Sequence, residues 1–301
     1  MRDFDIVDLT ELAGQNCSSS MHRASQNLGR FYTELNHSAW DRQMGGSLIA
    51  ATILNTDIGH ASKGPSGWSF IQMIFPFISK SKAITKRYPA KVSPLDVLGW
   101  SSKWLPEHIN PTDIDACVKK FQSQYEFEGG VPPSYWWFRQ LGLMVAQEGK
   151  NRVAFMRHHQ QPYIAAWVKE YEIPSPERLK ILPPMSDDRI CADQWFLLLD
   201  GQELAYLQYP AISSWYLSMY GVEASSWNVV ASSCTAASWI TAEILFNKII
   251  QISNKPQKTG KVGWVIDLAL LSEQILKEAA QNSEQENDNL SVFARIMNIL
   301  R

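Results

Sequence analysis

Leu141-Gly142-Leu143-Met144-Val145-Ala146-Gln147-Glu148-Gly149-Lys150-Asn151-Arg152-Val153 is the stretch whose reading decides the fold. An apolar run from Leu141 to Ala146 has strand length, a glycine among charged neighbours follows, and Val153 to His159 reads as a short helix. A glycine at such a junction lets the backbone come close to an anion. The first amides of the following helix point at that anion, and Lys150 and Arg152 add positive charge. The spacing therefore predicts strand, phosphate-binding turn and helix. An ordinary charged turn is written in the same residues, so the neighbouring segments must separate the two.

Working outward, Pro162 ends the short helix and Tyr163-Ile164-Ala165-Ala166-Trp167-Val168 reads as a buried strand. On the other side, Tyr135 to Phe138 is strand-like. Asn110-Pro111-Thr112-Asp113 supplies a cap, a proline at the first helical position and an acid in the first turn. Ile114, Val118, Phe121 and Tyr125 continue that helix as an apolar stripe, which Gly129-Gly130 ends. Lys91 to Leu98 alternates as a strand. Residues 89–172 thus read as a small α/β unit. Residues 1–88 read as mainly helical, with segments Ser20 to Leu35 and Ser38 to Leu54 and a loop from Gly59 to Gly67.

Residues 173–301 open with Pro174, Pro176, Pro183 and Pro184, a linker or a loop draped over the core. Trp195 to Leu199, Asp200-Gly201 and Glu203 to Leu207 then form the clearest hairpin pattern in the chain, with a dipeptide suited to tight primed turns. Ser226 to Ile252, Gly263 to Ala280 and Leu290 to Leu300 carry helical apolar stripes. The expected fold class is α+β: a small mixed core flanked by mainly helical N- and C-terminal regions.

With 301 residues, 45% hydrophobic and 19% charged, the chain is globular and large enough to bury a real core. Its 12 tryptophans fit a heavily aromatic core, or a surface built for a partner. A net charge of −2 provides no general attraction to nucleic acid, so DNA contact needs a local patch. Lys80, Lys82, Lys86, Arg87 and Lys91 form one with no acid between them; a solvated basic face has the same composition. Cys17, Cys117, Cys191 and Cys234 lack the spacing of a zinc site or disulfide framework, which fits a reducing cytoplasm. No apolar stretch reads as a signal or a membrane span, because Val229 to Phe246 contains Ser, Thr and Glu243. No metal site is expected: His158 and His159 are adjacent and point apart on a helix.

The succession Ala90-Lys91-Val92-Ser93-Pro94-Leu95, a helix after Asn110, a strand before Gln147, Glu148-Gly149-Lys150-Asn151-Arg152-Val153 and Ile164-Ala165-Ala166-Trp167-Val168 resembles the ParB/sulfiredoxin-like superfamily. The resemblance covers about a quarter of the chain. It implies a turn that binds nucleotide phosphates. Gly149 would permit close approach, Arg152 would pair with phosphate oxygens in a bidentate manner, and Asn151 would cap the helix or bond a phosphate beside Lys150. Superfamily members bind or hydrolyse nucleotides, cut DNA, phosphorylate small molecules or repair an oxidised cysteine. Lys150 stands where the redox-repair branch needs cysteine. Asn151 stands where the partition branch usually has a second basic residue.

Two functions are compatible with these features. The first is a cytoplasmic nucleotide-binding protein, a weak NTPase or DNA nuclease of plasmid, phage, conjugation or defence systems. Its cofactor would be a nucleoside triphosphate with magnesium, and Glu148 would serve as the catalytic carboxylate. The second is a non-catalytic scaffold that binds DNA or protein or forms an oligomer through its tryptophan-rich flanks. Tyr135, Trp136 and Trp137 could stack on a base, or be a strand packing its aromatics into the core. Arg157, His158 and His159 would reach a nucleotide only from the far end of the short helix.

Overall fold

The computed structural model describes residues 5–10, 17–43, 66–101, 111–125, 131–185, 194–233, 240–253 and 265–281, and the side chains of 38–43, 111, 233 and 253 lie outside that description. The fold is α+β. The chain divides into two compact units, Met1–Glu177 with Leu207–Glu223, and Arg178–Tyr206 with Ala224–Arg301.

The first unit begins with β1 (Val7–Asp8) and α1 (Ser19–Gln43). The Ser18 hydroxyl accepts from the Met21 amide at 3.1 Å at the start of α1. Met21, Ala24, Leu28, Tyr32 and Leu35 are buried along one stripe. Their steps of three, four, four and three keep one helix face on the core. The expected break near residue 36 does not occur: Asn36-His37 contains no helix breaker, and α1 runs through to Gln43. The remainder of the expected second helix, 44–54, and most of the expected 59–67 loop lie outside the described residues.

Next come α2 (Gly67–Ile74), β2 (Lys82–Ala83), β3 (Tyr88–Val92) and β4 (Val97–Leu98). Then follow α3 (Ile114–Ser123), β5 (Ser134–Phe138), β6 (Leu143–Glu148), α4 (Lys150–His158), β7 (Ile164–Glu172) and, after the chain's return, α5 (Pro210–Tyr220). The strands form a mixed sheet in the order β1-β3-β7-β5-β6-β4, with β2 also pairing β7. Central β7 runs antiparallel to β3, with Ala90 opposite Ala166, and parallel to β5, with Tyr135 opposite Val168. Against one face, α3 and α4 bury Phe121, Val153 and Phe155 with Val92, Tyr135 and Ala166.

Three sequence expectations need correction here. The single strand from Lys91 to Leu98 is two strands: β3 stops at Val92, a 3-10 turn spans Pro94–Asp96, and β4 pairs with β6 at the far end of the sheet. Proline lacks the ladder donor, and buried Asp96 accepts from Gln26 Nε2 at 3.0 Å and lies 2.8 Å from His22 Nε2. The helix after Gly149 starts at Lys150, within the turn itself. The last strand does not end at Val168. It continues to Glu172 because Glu170 is held by Tyr88 Oη at 2.6 Å and Arg139 Nη1 at 3.2 Å.

The second sheet is formed by β8 (Leu179–Leu182), β9 (Phe196–Leu199), β10 (Glu203–Tyr206), β11 (Glu223–Ala224) and β12 (Val265–Asp267), in the order β11-β8-β9-β10-β12. The predicted hairpin is β9 and β10. Asp200 and Gly201 take φ of 53° and 70°, and the Gln202 amide donates to the Leu199 carbonyl at 3.0 Å. Both left-handed residues are what a primed turn requires. The expected proline-rich linker contains β8, whose Leu-Lys-Ile-Leu pairs with β9. The expected helix from Ser226 to Ile252 is seen as α6 (Trp227–Ser233) and α7 (Ala242–Ser253). Within the expected 263–280 helix, Val265–Asp267 pairs with β10 as a strand before α8 spans 268–281. Leu290 to Leu300 lies outside the described residues. Trp227, Phe246, Leu268 and Leu271 fill the second unit's core with Phe196 and Leu204. Among the described residues no helix is long and apolar enough to cross a membrane.

Candidate functional site

Burial falls away along β6: Leu143, Met144 and Val145 are buried, while Gln147 and Glu148 are exposed. Gly149 then takes φ of 85° as the N-cap residue of α4, with no side-chain cap. A Cβ at this position would lie 2.8 Å from Pro133 Cβ, so both the conformation and the available space demand glycine. The Arg152 and Val153 amides bond back to the Gly149 carbonyl at 2.9 and 3.2 Å. The preceding amides, those of Lys150 and Asn151, have no acceptor within the helix and begin a positive helix end. Lys150 is exposed and Asn151 half-buried beside them.

Arg152 does not project with Lys150. It is 3% exposed, its Nη1 donates to the Gln124 carbonyl at 3.0 Å, and its guanidinium stands 5.0 Å from the centre of the Phe121 ring. Burial lowers its pKa, with the Tyr135 hydroxyl acting the other way. Tyr135 itself is fully buried. Its hydroxyl has no hydrogen-bond partner among the described residues and lies 3.6 Å from where a Cβ on Gly149 would be. Burial pushes its pKa up, and Arg152 and Arg157 oppose that shift. A buried hydroxyl without a partner is costly and calls for an explanation.

On the other side of β5, a groove of about 340 Å³ runs up to Glu148. Its walls include Trp68 at the start of α2, Trp136 of β5, Ser134, Gln147 and Arg87. The two indoles meet edge to face, 4.8 Å between centroids and 86° between planes. Alternation along β5 accounts for the split of the three aromatics. Tyr135 and Trp137 point into the α3–α4 core, whereas Trp136 is half-buried and faces the groove. Trp68 was missed in the sequence because it opens an apolar run, and only the alternation rule singles out Trp136.

The basic cluster is divided. Lys80, Lys82, Lys86 and Arg87 are exposed, and Arg87 shares the groove with Glu148. Lys91 lies 4.0 Å from Asp8 and 5.2 Å over the Tyr163 ring. Arg157 is directed away from the turn: its guanidinium donates to the Pro94 and Val97 carbonyls and to Thr33 Oγ1, and burial pulls its pKa down to about 10. His158 and His159 contact edge to face at 4.9 Å, and the Phe155 ring lies tilted 4.5 Å from His159. Among the described residues, no group of three or more His, Cys, Asp or Glu could hold a metal ion.

No family model, curated protein or solved structure matches the chain.

Proposed function

We propose that the turn Gly149–Arg152 binds the phosphates of a nucleotide, in a protein of the ParB/sulfiredoxin-like kind. The observation that carries this reading is the uncapped start of α4 at a glycine with φ of 85°, with the partnerless Tyr135 hydroxyl buried beside it. The phosphates lie against the Lys150 and Asn151 amides, and the Lys150 side chain adds a charge-assisted contact. Arg152 contributes its charge from beneath the turn. Direct pairing with phosphate would require it to leave Gln124 and Phe121. The order β3, α3, β5, β6, α4, β7 also supports the reading, because it follows the succession on which the resemblance rests.

Glu148, exposed at the groove's end and next to Gly149, is placed to polarise a water for weak NTP hydrolysis or DNA cleavage. Magnesium carried on nucleotide phosphates commonly asks one or two carboxylates of the protein, and Glu148 is the carboxylate at this turn. The setting is cytoplasmic, in keeping with the cysteine spacing. Titration calorimetry with tripolyphosphate and nucleoside triphosphates, with and without magnesium, tests binding. Absence of binding by every one of them at millimolar concentration overturns the reading.

A second reading, a DNA-binding or assembly scaffold, is favoured by the exposure of Lys80, Lys82, Lys86 and Arg87 on one short stretch. In that case affinity for duplex DNA falls steeply with salt, since each neutralised phosphate releases counterions. Binding that is absent or insensitive to salt removes the scaffold's nucleic-acid role.

A further inference from the structure

We infer that the Trp68–Trp136 groove is a nucleobase pocket, serving a nucleotide whose phosphates lie at the Gly149 turn; the inference rests on that phosphate reading. Contiguity is the first argument. Glu148 lines the groove and is bonded directly to Gly149, so the groove and the uncapped helix start are successive parts of one chain path. A nucleotide has the same order of parts, with a flat ring at one end and phosphates at the other.

The walls supply the second argument. Two indoles nearly perpendicular to each other, backed by Phe138 and Tyr171, form an aromatic corner in the groove wall. Base-on-aromatic stacking works for every base, because every base has a π-face. The volume, about 340 Å³, lies at the small end of the range for ligand sites of about 300–1,000 Å³.

Polar groups in the groove select a base over an aliphatic ligand. Gln147 carries both a donor and an acceptor and Ser134 carries a hydroxyl, while the Ser66 hydroxyl is already engaged by the Ser69 amide at 3.0 Å. An acyl chain would cover Gln147 and the Ser134 hydroxyl without giving them hydrogen bonds, whereas the hydrogen-bonding edge of a base satisfies them. Arg87 adds a guanidinium that can stack on the ring or meet a phosphate.

The test is calorimetry on the full chain with inorganic tripolyphosphate, the four common nucleoside triphosphates and their nucleosides. At least one triphosphate should bind roughly tenfold or more tighter than tripolyphosphate. Trp136→Ala should bring it down to the tripolyphosphate level while leaving tripolyphosphate affinity unchanged, and Trp136→Phe should recover part of the difference. Should Trp136→Ala fail to fold, Gln147→Leu at an exposed position should change the order of preference among bases. Equal affinity for tripolyphosphate and all four nucleotides overturns the pocket and leaves the phosphate site standing. Nucleoside binding without tripolyphosphate binding overturns the phosphate site and keeps the pocket. No binding of any compound overturns both.

Discussion

Arg152 and Phe121 are stacked partners: the guanidinium sits 5.0 Å from the ring centroid, inside the unit rather than on its surface. An arginine that the sequence offers as a phosphate ligand is thus also a packing element between α3 and α4. The two roles separate by substitution. Arg152→Met keeps volume and removes the buried charge, so relief of desolvation offsets the lost donor and stability should change by less than about 1 kcal/mol. Arg152→Ala also leaves a cavity and should cost about 2–4 kcal/mol. Urea unfolding measures both, and tripolyphosphate affinity should fall roughly tenfold or more in each. Unchanged affinity in Arg152→Met would show that the turn does not draw on this charge.

Gly149→Ala should be more harmful than an ordinary turn substitution. The φ of 85° disfavours any L side chain, and the new Cβ would meet Pro133 at 2.8 Å. The expected loss is about 1–3 kcal/mol in chemical denaturation, with phosphate binding abolished. A variant of wild-type stability would mean that Pro133 gives way easily.

Lys150→Ala isolates binding from folding. The side chain is exposed, so stability should stay within about 0.5 kcal/mol. Tripolyphosphate affinity should weaken about tenfold and become less sensitive to salt, as expected when one charged contact is lost. Equal affinities at low salt would exclude Lys150 from the site.

The hairpin in the second unit carries a pH-dependent contact. Arg178 Nε and Nη2 donate to Asp200 Oδ1 and Oδ2 at 2.8 and 2.5 Å, and this bonding holds the Asp200 pKa below its usual value of 3.8. A depressed carboxyl stabilises the fold above its unfolded pKa, and that contribution is lost as pH falls through the lower folded value. Asp200→Asn tolerates the left-handed φ of 53°, so it should cost under about 1 kcal/mol at neutral pH, as an exposed pair does. The difference from wild type should vanish once pH drops well below 3.8. A pH-independent difference would assign the effect to the turn instead.

Much of the secondary structure was legible because its causes are local. Asp200-Gly201 announces its turn, Pro111 and the Ile114, Val118 and Phe121 stripe announce α3, and the end of the apolar run at Ala146 announces a turn and a following helix, although α4 starts at Lys150 rather than Val153. Errors arose where a distant partner overrides local pattern. Leu179–Leu182 lies between prolines that read as linker, and it is a strand because β9 pairs with it. The apolar run read as a strand ends at Val168, and β7 continues to Glu172 because Tyr88 and Arg139 hold Glu170.

The site divides in the same way. By itself the sequence determined the position of the turn, the need for glycine there, and the presence of Lys150 and Arg152 beside it, because backbone sterics and helix-start chemistry act over a few neighbouring residues. Only the tertiary structure decided that Arg152 lies under the turn against Phe121, that Lys91 stands by Asp8 while Arg87 joins Glu148, and that Trp68 meets Trp136 across a groove. Those outcomes depend on which strands pair and which faces they turn inward. Strand pairing and packing join residues far apart in the chain: alternation separates Trp136 from Tyr135 and Trp137, but which of the two faces α3 and α4 cover and which borders the groove is set by those distant partners.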